Sequence, residues 1–209
     1  MRIKSLKLSP DRAGRYWVTF EDDSRIGLYR QTVEDFGLYT GMDLTDDQME
    51  ALQTAAGQMS AKMRAVRIVS ASSVSKKDLE QRLIRKGEDP DQAREAVQWM
   101  EDLHLVNDRN TAEQVVHGCI SKGYGLQRAK QALYEKRIPK KYWEEALQDY
   151  PDQNEKIESF LRSRLDADSD QKEIKKAIDA LIRRGHSYGT IRTVLNGLSF
   201  DTDDYYEEF

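Results

Sequence analysis

Apolar and polar positions alternate through the first thirty residues and then change rhythm. Tyr16, Val18 and Phe20 alternate with Trp17 and Thr19, Glu21–Ser24 makes a turn, and Ile26 and Leu28 alternate again. That period of two predicts strands. Ser9–Gly14 reads as a second turn, which makes Ile3–Leu8 a third strand. A sheet of three short strands needs a cover for its apolar face, supplied by a short helix near Thr32–Phe36 or by the next helix. The latter opens at Thr45, where "TDDQ" has capping-box spacing with Gln48. Its apolar positions fall at Met49, Leu52, Ala56, Met59, Met63 and Val66. Burial against the sheet and the following helices suits this stripe better than a coiled-coil seam, which needs a matching partner helix.

From Ser75 onward the rhythm is helical, and one phrase recurs. "RLIRKGEDPDQAREAV" (82–97), "ALYEKRIPKKYWEEAL" (132–147) and "ALIRRGHSYGTIRTVL" (180–195) align so that Leu83, Leu133 and Leu181 coincide, as do Val97, Leu147 and Leu195. The spacings of 50 and 48 residues point to a repeat architecture. Each phrase decodes as helix, tight turn, helix. The first helix carries Leu79 and Leu83, then Ala129 and Leu133, then Ile174, Ala177, Ile178 and Leu181; Gly87 and Gly185 mark left-handed helix ends. The next helix begins at Asp89–Pro90, Pro139 or Ser187, which are N-cap or first-turn residues. A preceding helix, centred on 66–69, 112–116 and 157–161, completes each unit.

The pattern therefore predicts a mainly α protein: tandem three-helix repeats forming an elongated curved rod, with a small N-terminal antiparallel β appendage. The boundaries fall at 1–44 (appendage), 45–106 (linking helix and first repeat), 107–150 (second repeat), 151–200 (third repeat) and 201–209 (acidic tail). Short amphipathic helix pairs cannot bury their own stripes, so neighbouring units must pack together.

Composition supports thin packing, with 38% hydrophobic and 33% charged residues. The net charge of −4 is mild, but residues 61–149 hold 17 basic and 14 acidic side chains while both flanks are net acidic. The lone Cys119 permits no disulfide framework. The opening residues lack the apolar core of a secretory signal, and no apolar run reaches a membrane span, so a cytoplasmic, non-membrane protein is expected. No catalytic constellation rises above background, and neither a cofactor nor a metal is expected. His117 and Cys119 stand two apart and so point to different sides of a helix. "GYG" at Gly123–Gly125 falls short of any phosphate loop and reads as a hinge between helices. "DADSD" at Asp166–Asp170 lacks the central Gly and closing Glu of a calcium loop. Asp170 and Glu173 instead match a capped helix start.

What remains is basic. Arg85 and Lys86 align with Glu135 and Lys136 and with Arg183 and Arg184; Arg82, Lys122, Arg128, Lys130, Arg137, Lys140, Lys141 and Arg192 lie around them. The helix dipole accounts for part of this, since its negative end attracts cations. The rest predicts a positive edge able to meet phosphates or an acidic protein groove. Base-specific recognition fits poorly, because Asp91 and Glu95, or Glu144 and Glu145, interrupt the candidate recognition helices. Three weak contacts on one scaffold would suit a periodic target.

The phrases "LEQRLIRKG", "LHLVNDRNTAEQVV", "SKGYGLQRAKQALYEKRI" and "IPKKYWEEAL" resemble the RecX family, regulators of the bacterial recombinase RecA. The resemblance spans roughly Met63–Leu198 and is strongest over Ser75–Leu147. "RYWVTFEDDSRIGLY" and "GLYTGMDLT" look like the β extension of longer members. The resemblance implies a monomeric, non-catalytic modulator lying in the groove of the RecA–single-stranded-DNA filament. It would limit ATP hydrolysis and strand exchange in recombination, DNA repair and the SOS response. Arg82, Arg85, Lys86, Lys122, Arg128, Lys130, Lys136, Arg137, Lys140, Lys141, Arg183 and Arg184 would then face RecA or DNA. The alternative is a stand-alone, non-specific DNA-binding helical-repeat protein. The sequence departs from the family pattern at Lys136–Arg137–Ile138, where Gly is usual. The acidic, aromatic tail Asp201–Phe209 reads as a solubilising end or as a segment folding back on the basic edge.

Overall fold

A computed structural model describes residues 1–10, 14–166 and 168–198. The β1–β2 turn is therefore described only in part, and the expectations for the acidic tail lie outside the described residues. The chain divides into two compact units, Met1–Val106 and Asn107–Phe209.

In the first unit, β1 (Ile3–Leu8), β2 (Arg15–Phe20) and β3 (Arg25–Tyr29) form an antiparallel sheet in the order β1-β2-β3. Leu6 pairs with Val18 and Val18 with Ile26; an irregularity between Ile3 and Ser5 puts Ile3 opposite Phe20. The alternation buries Ile3, Val18, Phe20 and Leu28 on one face. Both candidate covers are used. Helix α1 (Arg30–Asp35) contributes Val33, and α2 (Asp46–Ala71) contributes Leu52. The free edge of β1 is occupied by the segment before α2: Ile3 N–H donates to Met42 O at 2.9 Å, and Leu44 N–H donates to Met1 O at 2.7 Å.

Helix α2 begins in the expected capping box, with Gln48 N–H donating to Thr45 Oγ1 at 3.2 Å and Thr45 N–H to Gln48 Oε1 at 2.9 Å. Its buried residues are Leu52, Ala61 and Ala65, while Met59 and Met63 are only half-buried. Leu52 belongs to the sheet core, and Ala61 and Ala65 to the core of the first repeat. Nine residues are about two and a half turns, so these two groups lie on opposite sides of the helix. One helix thus serves two cores, which the single apolar stripe expected from sequence did not distinguish.

The first repeat is completed by α3 (Lys76–Arg85) and α4 (Pro90–Asp102), capped by Ser75 and Asp89. In the second unit, the second repeat comprises α5 (Asp108–Ser121), α6 (Leu126–Glu135), a 3₁₀ turn over Lys140–Tyr142 and α7 (Trp143–Leu147). The third comprises α8 (Asn154–Arg162), α9 (Gln171–Arg183) and α10 (Tyr188–Gly197). Leu83, Leu133 and Leu181 are each at most 1% exposed, so the aligned leucines are core anchors in all three repeats. Each fully buried leucine contributes roughly 1.5–3 kcal/mol of hydrophobic stabilisation.

The repeated turn is a Schellman motif in every copy. Glu88 N–H donates to Leu83 O at 3.2 Å, Ile138 to Leu133 at 3.1 Å and His186 to Leu181 at 3.2 Å. The residue in left-handed conformation is Gly87 (φ +87°), Arg137 (φ +54°) or Gly185 (φ +86°). Arg137 therefore adopts the glycine geometry despite its Cβ, and the departure from the family pattern leaves the turn type unchanged. The helix expected to open at Pro139 instead passes through the 3₁₀ turn before α7 begins at Trp143.

Candidate interface of the helical repeats

Helix C-termini place most of the candidate cations. Lys86, Lys136 and Arg184 are the C-cap residues of α3, α6 and α9. Each sits where the negative end of a helix dipole attracts positive charge. Lys122 is the C-cap of α5.

In the first unit the three candidates differ in kind. Arg82 forms an i,i+4 ion pair at 2.9 Å with the buried carboxylate of Asp78 and is itself half-buried. It neutralises a carboxylate inside the fold. Arg85 and Lys86 are exposed and form no ion pair among the described residues; Arg85 Nε donates only to the Gln81 carbonyl at 3.3 Å. Beneath them, buried Glu88 accepts from Arg64 Nε at 2.5 Å and from Ser60 Oγ at 3.1 Å. Arg64 also donates to the Lys86 carbonyl at 3.2 Å. This Arg64–Glu88 contact, which the sequence reading missed, fixes the backbone that presents Arg85 and Lys86.

In the second unit, α6 divides the remaining candidates between its two ends. At its start, Gly125 N–H donates to Arg184 O at 2.9 Å and Gln127 N–H to Gly185 O at 3.2 Å. A Cβ on Gly125 would stand 2.1 Å from Gly185 O, and one on Gly185 would stand 2.2 Å from Arg128 N. His186 Nε2 donates to Gly123 O at 3.0 Å, and Tyr150 Oη donates to Tyr124 O at 2.6 Å. The "GYG" segment is thus a packed joint between the second and third repeats, not the expected hinge: three hydrogen bonds and two mutually required glycines join the repeats there, and Tyr150 ties the segment to the end of the second repeat. Burial pushes the His186 imidazole below its ordinary pKa, and burial pushes the Tyr150 phenol up to about 12.

The same joint gathers Lys122, Arg128 and Arg184. Arg128 forms a 2.9 Å ion pair with Glu135, and this hydrogen bond holds the Glu135 carboxyl below the usual carboxylate range. Arg184 stacks on Phe160, with its guanidinium carbon 4.5 Å from the ring centroid; Arg164 lies over the same ring at 4.7 Å. Lys122, Arg183 and Arg184 are exposed and form no ion pair among the described residues. The other end of α6 and the turn after it carry Lys136, Arg137, Lys140 and Lys141. The last two are exposed, and Lys141 Nζ stands 4.8 Å from the Tyr142 ring centroid. Lys130 is exposed on α6 itself. No helix of the described residues is long and apolar enough to cross a membrane.

Residues 107–147 match the family description "RecX, second three-helix domain". Along nearly the whole chain there is similarity to a regulatory protein RecX of Clostridioides difficile: 26% identity over 210 residues, covering 97% of each chain. The chain is similar to RecX proteins along most of its length, and the family match itself is confined to the second repeat. A regulatory protein RecX of Lactococcus lactis is 28% identical over 88% of this chain and 72% of its own length. One from Vibrio parahaemolyticus is 27% identical over 71% of this chain and 96% of its own. Among solved structures, a regulatory protein RecX shares the fold with TM-score 0.63 at 20% identity, covering 93% of this chain and 98% of the other. RecX from Lactobacillus salivarius aligns with TM-score 0.59 at 27% identity over 69% of this chain and 97% of that one. The RecX match over 107–147 covers the second repeat, including Arg137 in its left-handed turn.

Proposed function

We propose that this chain is a RecX-type, non-catalytic regulator of RecA that lies along the groove of the RecA–single-stranded-DNA filament and limits ATP hydrolysis and strand exchange. One observation carries the reading. The same Schellman turn, built three times, presents exposed cations at its rim: Arg85 and Lys86, Lys140 and Lys141, Arg183 and Arg184. None of these six forms an ion pair among the described residues, whereas Arg82 and Arg128 are held by Asp78 and Glu135. Unpaired charge recurring close to the same turn in each of the tandem units, at the helix end in the first and third and just past the turn in the second, suits a partner that is itself periodic, because each added contact is made at high effective concentration.

The alternative, a stand-alone DNA binder, is separated from this reading by partner dependence. Co-sedimentation with RecA filaments on single-stranded DNA should retain the protein at salt concentrations that release it from bare DNA. Bare-strand binding weakens steeply with salt through counterion release. Equal salt sensitivity with and without RecA would refute the filament reading.

A further inference from the structure

The face of the sheet opposite the first unit's core is unlike a covering layer. Strand alternation places Ser5, Lys7, Arg15, Trp17, Thr19, Arg25, Gly27 and Tyr29 there, with Lys7 opposite Trp17, Trp17 opposite Gly27, Thr19 opposite Arg25 and Arg15 opposite Tyr29. Trp17 is 46% exposed, a high value for a tryptophan in the central strand of a sheet. Its ring lies over Gly27, where a Cβ would come within 3.3–3.6 Å of three indole carbons. Glycine mid-strand weakens a sheet and marks close approach. Here it lets one indole face settle on the backbone while the other stays open.

The charged strand positions of this face carry one sign. Lys7 and Arg25 are exposed, and neither forms an ion pair among the described residues. The Arg15 guanidinium lies 4.3 Å from the Tyr29 ring centroid and donates to the Tyr29 hydroxyl at 2.7 Å. Arg67 reaches the same hydroxyl from α2, also at 2.7 Å. No strand position on this face is a carboxylate; nearby Asp23 is turned to Lys4 at 2.6 Å, and Asp22 is held by Ser24.

We propose that this sheet face is a binding platform for single-stranded nucleic acid, in which a base stacks on Trp17 while Lys7, Arg15, Arg25 and Arg67 meet the flanking phosphates. An open aromatic face in a ring of cations is the arrangement by which single strands are held without sequence preference. A sugar would call for carboxylate or amide acceptors, which this face lacks. The platform is built by Lys7, Arg15, Trp17, Arg25, Gly27 and Tyr29 with Arg67 and is independent of the cations on the repeats.

The test uses the full chain with a 5′-fluorescein-labelled thymidine oligomer of about twelve nucleotides at low ionic strength, reading anisotropy and intrinsic tryptophan quenching. Quenching should occur with the wild type and vanish in Trp17→Phe. Affinity should fall at least about fivefold in Trp17→Ala and in Lys7→Glu/Arg25→Glu. The latter changes only exposed side chains and covers the case in which Trp17→Ala unfolds the sheet. The quenching should survive in Lys140→Ala/Lys141→Ala. Unchanged affinity in Lys7→Glu/Arg25→Glu, quenching that persists in Trp17→Phe, or no binding by the wild type would each overturn the proposal.

Discussion

Three copies of one turn in three environments make the energetics of the repeat separable. Gly87, Arg137 and Gly185 occupy the same left-handed position of the Schellman motif. Replacing Gly87 by Ala adds a Cβ that meets nothing within 4 Å. Its cost is therefore backbone strain alone, about 1 kcal/mol. At Gly185 the same Cβ would stand 2.2 Å from Arg128 N and 2.6 Å from Arg128 Cβ. Those atoms belong to the first turn of α6 and cannot swing away, so repacking adds to the strain, for a total of about 3 kcal/mol or more. At position 137 the same preference is read from the other side: Arg137→Gly should be more stable than Arg137→Ala by about 1 kcal/mol. That comparison cancels whatever the arginine side chain contributes. Urea unfolding followed by far-ultraviolet circular dichroism reads all four variants. Gly87→Ala should lower the transition of the first unit, and Gly185→Ala that of the second. For units of this size 1 kcal/mol corresponds to roughly 4–8 °C in Tm. Equal costs at 87 and 185, or an Arg137→Ala variant as stable as Arg137→Gly, would refute the assignment of Gly185 to a packed joint and of Arg137 to a strained one.

The joint also predicts a pH dependence. Because burial lowers the His186 pKa from 6.5, the unfolded chain binds its proton first; stability of the second unit should fall as pH drops below about 6.5 and level off once the folded form is also protonated. His186→Gln, which keeps an N–H donor for Gly123 O, should flatten that slope, and an unchanged slope would exclude His186 as its source. Tyr150→Phe removes the donor to Tyr124 O and should cost about 1 kcal/mol in the same urea assay, with no effect pointing instead to solvent bonding of that carbonyl. Burial raises the Cys119 pKa, so iodoacetamide should label the native chain far more slowly than the urea-unfolded chain; equal rates would contradict the buried placement.

Much of this architecture is legible in the sequence, because its signals are local. Period-two alternation at Tyr16–Phe20 marks a strand and already separates Trp17 from Val18 and Phe20. Leu83, Leu133 and Leu181 mark core anchors, and Thr45–Gln48 and Asp170–Glu173 mark capping boxes that the structure contains. The expected apolar stripe of α2 was less complete, since a helix that feeds two cores carries two overlapping patterns. What stayed hidden depends on neighbours distant in sequence. Gly125 and Gly185 look like ordinary turn residues until their backbones are seen to touch, and "GYG" therefore read as a hinge. The Arg128–Glu135 pair spans two helical turns, and Arg64–Glu88 joins different helices, so neither could be separated from the free cations beforehand. Asp78–Arg82 has the i,i+4 spacing that could have flagged it. Thus a set of twelve candidate cations divides into internal partners such as Arg82 and Arg128 and outward-facing ones such as Arg85, Lys86, Lys140 and Lys141.

That division bears directly on regulation. The most direct measurement is single-stranded-DNA-dependent ATP hydrolysis by RecA, titrated with this chain and with Arg85→Ala/Lys86→Ala and Arg183→Ala/Arg184→Ala variants of matched stability. The account predicts inhibition at a small fraction of the RecA concentration, with each double substitution shifting the midpoint to higher protein. Full ATP hydrolysis at equimolar wild-type protein, or midpoints that ignore the outward cations, would contradict it.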